Sequence, residues 1–259
     1  MPLPADPPPL TRLAIFGDSH YACVRRAHSE GLVATDGFDI EYWGHVGSRF
    51  RMLGYENGAI VPTDAATANR FAKFNDKGRK FLPVADFDAV LFVGCRFQTM
   101  GLLMTLAQAR ADGRFLSDGL KRRLIRDRLS GNESAGFARN FARDGQAKIL
   151  FSPTSLPIVG WEDAYIAAFP AAQSVEADER AEIDAMITEA FANQGVDYLP
   201  QPDHTITDGC FTSLVYASED FAKTEDHEHK SATYGALVLE AALQKLGATP
   251  RLLERDRPA

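Results

Sequence analysis

Leu13-Ala14-Ile15-Phe16-Gly17-Asp18-Ser19-His20 is the stretch whose reading decides the fold. Four apolar residues run directly into a glycine, an acid, a hydroxyl and an imidazole. A short apolar run stopped by glycine reads as a buried strand closing on a tight turn. The residues that follow, Tyr21 to Ser29, read as a helix. Ser19 is therefore expected where a central strand stops and a helix begins. In an open α/β sheet, ligands bind at that place, outside the carboxyl ends of the strands. The start of a helix also presents free backbone N–H groups, which stabilise negative charge.

Outward from this stretch the chain alternates. Phe38-Asp39-Ile40-Glu41-Tyr42-Trp43 reads as a second strand that ends at Gly44-His45-Val46-Gly47. Ala89 to Val93 is the strongest buried-strand run and stops at Gly94. Lys148 to Phe151 reads as a fourth strand, ended by Pro153, and Val196 to Leu199 as a short fifth. Helices are expected from Val175 to Asn193 and from Ala232 to Leu246, stopped by Gly195 and Gly247. Strands alternating with helices imply an α/β fold of three layers, α/β/α, around a parallel sheet. The expected topology is flavodoxin-like, five strands in the order 2-1-3-4-5. Its switch point lies beside Ser19 and Gly94.

Two stretches interrupt the alternation. Arg70–Phe74 and Arg79–Leu82 flank Asn75-Asp76-Lys77-Gly78, which predicts a hairpin insertion over 70–82. Residues 101–145 are helix-rich and polar, with breaks at Gly113 and Gly131-Asn132. That is long for a crossover and predicts a helical insertion that caps the cleft or makes a partner surface. The Pro-rich residues 1–11 are expected to be a disordered tail, and 12–250 a single domain.

Composition narrows the function. The 259 residues are 45% hydrophobic, enough for a sizeable core. Thirty-five acids against 28 bases give a net charge of −7, which argues against nucleic acid as a partner. Cys23, Cys95 and Cys210 are too scattered for a disulfide framework or a cysteine-based zinc site and read as reduced, packed thiols. No apolar run reaches the ~18 residues of a membrane span, and the start of the chain has no signal-peptide pattern. A cytoplasmic protein is expected; oligomeric state is not legible.

A serine hydroxyl is a poor nucleophile until a base takes its proton, and the base works best when an acid orients it. Glu225-Asp226-His227-Glu228-His229, just before the closing helix, offers both from one loop. The same cluster also reads as a solvated acidic loop.

At these residues the chain resembles the SGNH hydrolases, the GDSL-type serine esterases. Phe16-Gly17-Asp18-Ser19 looks like that family's first block, and Asp226-x-x-His229 has the spacing of its last. The resemblance implies Ser19 as nucleophile, His229 as general base and acid, and Asp226 as its orienting carboxylate. His227 is the rival within the loop and is assigned to solvent. The resemblance also implies an oxyanion hole from the Ser19 N–H and a glycine after strand two, where Gly47 matches better than Gly44; both glycines also read simply as turn residues. The third block departs. Gly94-Cys95-Arg96 places Arg96 where the family carries an oxyanion-donating Asn. A guanidinium can donate to an oxyanion, grip an anionic substrate group, or sit on the surface.

The resemblance implies hydrolysis of an acyl ester, O-acetyl included, on a small molecule or a carbohydrate, without cofactor or metal. A sugar hydroxyl in place of water would make the protein an O-acyltransferase. Loss of the Asn supports instead a non-catalytic carbohydrate-binding protein of the same fold. His20, His45 and Arg49 are further candidates for touching substrate. If Arg49 and Arg51 face the cleft with Arg96, the substrate is anionic. Gly17-Asp18-Ser19-His20 also fits the opening motif of calcineurin-like phosphoesterases. That metal-dependent reading would have to recruit Asp18, His20, Asp226, His227 and His229 without the family's later motifs.

Overall fold

The structure, a computed structural model, describes residues 9–45, 47–161 and 171–248. A five-stranded parallel sheet forms its centre. In chain order the strands are β1 (Thr11–Gly17), β2 (Phe38–Gly44), β6 (Ala89–Gln98), β7 (Lys148–Thr154) and β8 (Val196–Tyr198). They lie in the order β2-β1-β6-β7-β8. This is the expected 2-1-3-4-5 sheet. All pairings are parallel, with Gly17 opposite Gly44 on one side and opposite Val93 on the other.

Side chains along a strand alternate between faces, and the buried residues divide accordingly. Ala14, Phe16, Val90, Phe92 and Phe151 face one core. That core is closed by α2 (Ala65–Phe74), α3 (Met100–Ala111), α4 (Asp118–Ser130), α5 (Glu133–Asp144) and α6 (Ala177–Ala192). Leu13, Ile15, Leu91 and Val93 face the other, closed by α1 (Tyr21–Ser29) and by α8 (Ala232–Lys245), the helix after the single-turn α7 (Phe221–Thr224). The α/β/α layering follows from this parity: β1 and β6 are apolar on both faces, so both faces need helices.

The insertion after β2 differs from the expected one. Residues 70–74 are the second half of α2, whose N-cap Asp64 accepts the Thr67 N–H at 2.8 Å. An antiparallel insertion does exist. Its hairpin is β3 (Leu53–Glu56) with β4 (Ala59–Pro62), and β5 (Leu82–Pro83) adds a third strand. The turn is Asn57-Gly58, at φ of 48° and 77°, the two-residue turn that matches strand twist. Asn75 organises the loop after α2 by accepting the N–H groups of Lys77 and Arg79, which gives it the look of a hairpin turn in sequence.

Residues 101–145 are helical, and the breaks at Gly113 and Gly131-Asn132 are where α3 and α4 end. Helix α5 packs on β6 and β7 as their crossover, while α3 and α4 pack against α6. Of the expected tail, residues 1–8 lie outside the described ones, and Thr11 already belongs to β1. The remaining strands, β9 (Ile206–Thr207) and β10 (Phe211–Thr212), make a small separate pair.

Candidate active site

Helix α1 begins just after Ser19, and α8 begins just after His229. These helices pack against each other on one face of the sheet. The contact is backbone-close: a Cβ on Gly235 would run into the Cys23 carbonyl. Further ties hold the loop before α8. The Arg26 guanidinium of α1 donates to the Lys230 carbonyl at 2.8 Å and pairs with Glu219, whose carboxylate also accepts the Ala232 N–H. Residues more than two hundred apart in sequence thus meet because two glycine-fitted helices do.

The loop supplies a paired acid and imidazole. Asp226 Oδ1 accepts the N–H groups of Glu228 and His229, and Oδ2 lies 2.7 Å from His229 Nδ1. An ionised Asp226 leaves Nδ1 as the donor and Nε2 as the free base. Among the described residues Nε2 is buried and has no hydrogen-bond partner. The ring stacks on His20, centroids 5.2 Å apart and planes 27° apart, and His20 is the residue after Ser19. Ser19 is part-buried, and among the described residues neither its hydroxyl nor its N–H has a partner.

The electrostatics fit this pairing. Burial pushes the Asp226 carboxyl up, but the hydrogen bonds from His229 and Glu228 outweigh it and hold the carboxyl below its usual range. Burial pushes the His20 imidazole down, so His20 is neutral where an ordinary histidine charges. Lys230 is 2% exposed and donates to the Glu228 carbonyl at 2.7 Å. Burial pushes its ammonium down to about 8.

Glycines end β1 and β2 and interrupt β6 at the floor of the site. A Cβ on Gly17 would strike the Val93 carbonyl, and one on Gly44 the Gly17 carbonyl. At the end of β6, Gly94, Cys95 and Arg96 stand consecutively at φ of 73°, 54° and 56°. Here the ladder to β7 jumps from Gly94↔Pro153 to Gln98↔Thr154, so residues 95–97 bulge out. Two left-handed residues other than glycine cost roughly 1–2 kcal/mol each. The bulge is held by Asp18, which is 6% exposed: Oδ2 accepts the Arg96 N–H at 3.0 Å and Oδ1 the His20 N–H at 3.1 Å. Asn132, the N-cap of α5, donates to the Cys95 carbonyl at 3.1 Å. A Cβ on Gly94 would lie 2.6 Å from Asp18 Oδ1 and 2.7 Å from His20 Cβ. The Cys95 thiol is buried and pushed well above its ordinary value, which makes it inert.

The remaining sequence candidates separate. Arg96 reaches across to Gly47, its Nη2 donating to the Gly47 carbonyl at 2.7 Å. Gly47, at φ of 67°, is exposed at the start of a short 3-10 helix, residues Gly47–Met52. Its N–H has no partner among the described residues. His45 is fully buried and lies edge-on to Phe74. Arg49 is held by Asp64 and Thr67 at the start of α2, so its charge is spent locally. His227 is part-buried: its ring stacks on Trp161 and its Nδ1 lies 3.0 Å from the Ile158 carbonyl. Sequence reasoning missed Asn132, Arg26, Lys230 and Gly235. Only Asn132 carried a local signal, as a helix N-cap after glycine.

Among the described residues no group of three or more His, Cys, Asp or Glu side chains is arranged to hold a metal ion, and no helix is long and apolar enough to cross a membrane. No family model matches the chain, and no curated protein does. Solved structures similar to it include a lipopolysaccharide acetyltransferase periplasmic domain from Salmonella Paratyphi A. That match has 12% identity and a TM-score of 0.46, over 92% of this chain and 84% of that one. Another is an extracellular lipase from Streptomyces rimosus, at 14% identity and a TM-score of 0.44, over 90% and 99%. A third is Est24, a carbohydrate acetylesterase from Sinorhizobium meliloti, at 14% identity and a TM-score of 0.40, over 92% and 98%.

Proposed function

We propose that the chain cleaves acyl esters with Ser19 as nucleophile, His229 as general base and acid, and Asp226 as the carboxylate that orients it. The carrying observation is the 2.7 Å Asp226–His229 pair, which leaves a buried, unpartnered Nε2 stacked on the residue next to Ser19. An imidazole nitrogen so desolvated is a base awaiting a proton donor, and among the described residues the part-buried Ser19 hydroxyl is also without a partner.

In this reading His229 Nε2 takes the Ser19 proton as Oγ bonds to the substrate carbonyl carbon. Asp226 stabilises the imidazolium through Nδ1–H. The tetrahedral oxyanion meets the N–H groups of Ser19 and Gly47, each such donor contributing a few kcal/mol in the transition state. Arg96 acts by holding Gly47 through its carbonyl. The alcohol leaves with the proton from Nε2, giving an acyl-Ser19. Water, or a sugar hydroxyl in a transferase, then gives its proton to Nε2 and takes the acyl group, returning Ser19 to its hydroxyl.

Turnover of a chromogenic acetyl ester and covalent labelling by a fluorophosphonate test the proposal together. Both are expected in the parent protein. Ser19→Ala should abolish labelling and lower kcat by about 10³-fold or more. Labelling and hydrolysis that survive Ser19→Ala would end it.

A further inference from the structure

Next to the Asp226–His229 loop, which contributes Glu228 to its wall, lies a cavity of ≈ 120 Å³ that the acyl-transfer chemistry does not use. It is walled by Gln98 and Thr99 after the β6 bulge, by Met104 of α3, by Ser155 after β7, by Glu228 next to His229, and by Arg128 of α4. Thr154, also in its wall, donates to the Gly94 carbonyl at 3.1 Å, so the cavity starts one hydrogen bond from the β6 residue that packs against Asp18 and His20. The volume admits a group of about five heavy atoms.

Arg128 differs from the other cations of its helix. Lys121 pairs with Glu182, Arg122 with Glu189 and Arg123 with Asp127. Arg126 has no carboxylate partner among the described residues but is exposed, so water satisfies it. Arg128 is part-buried, and among the described residues no carboxylate lies within ion-pair distance of it. Its Nη2 lies over Gly101, where a Cβ would approach to 3.0 Å. A guanidinium that has given up part of its hydration without gaining a counter-ion is a ready site for a bidentate anion. Glu228, the acid across the cavity, is turned to His20, 3.9 Å from its Nε2. It repels an anion from the reacting end and leaves the Arg128 end as the one an anion can take.

We infer that this cavity selects ester substrates carrying an anionic group, a carboxylate on a short arm, which Arg128 binds. The inference rests on the Ser19 reading and deepens it. It also replaces Arg49, which Asp64 occupies, as the source of anion selectivity.

The test compares kcat/KM for a succinate hemiester with that for the butyrate ester of the same leaving group. Background hydrolysis is subtracted. A second pair, acetyl esters of 4-hydroxybenzoate and of its amide, places the charge on the alcohol half instead. The parent protein should favour the anionic member of one pair by about 10-fold or more, and the favoured pair identifies the half that enters the cavity. Arg128→Gln should collapse that ratio, Arg128→Lys should restore part of it, and Arg139→Gln on α5 should leave it unchanged. Calorimetric binding of succinate and of 4-hydroxybenzoate to the parent, Ser19→Ala and Arg128→Gln proteins needs no turnover. Binding of at least one acid should persist in Ser19→Ala and be lost in Arg128→Gln. Loss of hydrolysis with this binding pattern intact would sink the esterase reading and keep the anion site. Equal kcat/KM within both pairs, or anion binding indifferent to Arg128→Gln, would overturn the inference.

Discussion

The two walls of the cleft are built differently. One is the Asp226–His229 loop, docked by α8 onto α1. Its chemistry is local: acid and imidazole stand three residues apart, and the bonds that orient them lie within four residues. The other is the Gly94–Phe97 bulge. It owes nothing to its neighbours in sequence and is held by Asp18 from β1's end and Asn132 from the head of α5. A wall made of local bonds tolerates change elsewhere in the fold, whereas a wall of left-handed residues held from a distance does not. In the proposed mechanism, acid–base chemistry is therefore concentrated in a compact loop, and backbone strain is concentrated in the bulge opposite it.

The largest expected effect breaks the first wall. Asp226→Asn keeps the shape but lets the His229 ring adopt the wrong tautomer, and kcat is expected to fall by about 10³-fold. The same variant probes stability. The Asp226 carboxyl sits below its usual value in the folded chain. Its contribution is therefore present above the unfolded pKa of roughly 4 and lost as pH falls through the folded value. Denaturant unfolding should show Asp226→Asn less stable than the parent at neutral pH, with the two converging in strong acid. Convergence at neutral pH would deny the pair any role in holding the loop.

Gly94→Ala attacks the second wall. Its φ of 73° and the 2.6 Å approach to Asp18 leave no room for a methyl. A loss of roughly 2–4 kcal/mol is expected, about 5–15 °C in melting temperature, together with a fall in kcat. Wild-type melting would show that the bulge is softer than its bonds imply.

A paired substitution at Asn132 sharpens the comparison. Asn132→Ala removes both the cap of α5 and the bond to the Cys95 carbonyl and should cost about 1–2 kcal/mol. Asn132→Asp keeps an N-cap acceptor but loses the amide donor. It should retain most of the stability while lowering kcat several-fold, which separates support of the bulge from support of the helix.

The smallest effect is a slope. Folded Lys230 releases its proton near 8, whereas the unfolded chain holds it to about 10.4. Between those values the unfolded chain binds more protons, so this group makes stability rise with pH, by up to about 1.4 kcal/mol per unit. Lys230→Met should flatten that rise in denaturant titrations from pH 8 to 10.5. An unchanged slope would mean that the ammonium is hydrated in the folded chain.

Legibility in the sequence followed the same division. The five sheet strands were readable because each is a short apolar or alternating run stopped by glycine or proline. The insertion was misplaced because its real signal, Asn57-Gly58, is two residues long, whereas Asn75-Asp76-Lys77-Gly78 is a turn that follows a helix rather than joining two strands. Arg96 and Arg49 were visible as charges, but what a flexible cation touches depends on where Gly47 and Asp64 stand in space.

By itself, the amino-acid order determined the parallel sheet, the glycines at its carboxyl edge and the spacing of Asp226 and His229. Each is a matter of periodicity or of neighbours within a few residues. Tertiary structure alone decided that His229 lies against His20, that three left-handed residues interrupt β6, and that among the described residues no carboxylate pairs with Arg128. Those facts arise from helix α8 closing on α1 and from bonds between residues dozens to hundreds of positions apart. No local pattern encodes such contacts, because their energy comes from burial and hydrogen bonding that exist only once the layers have packed.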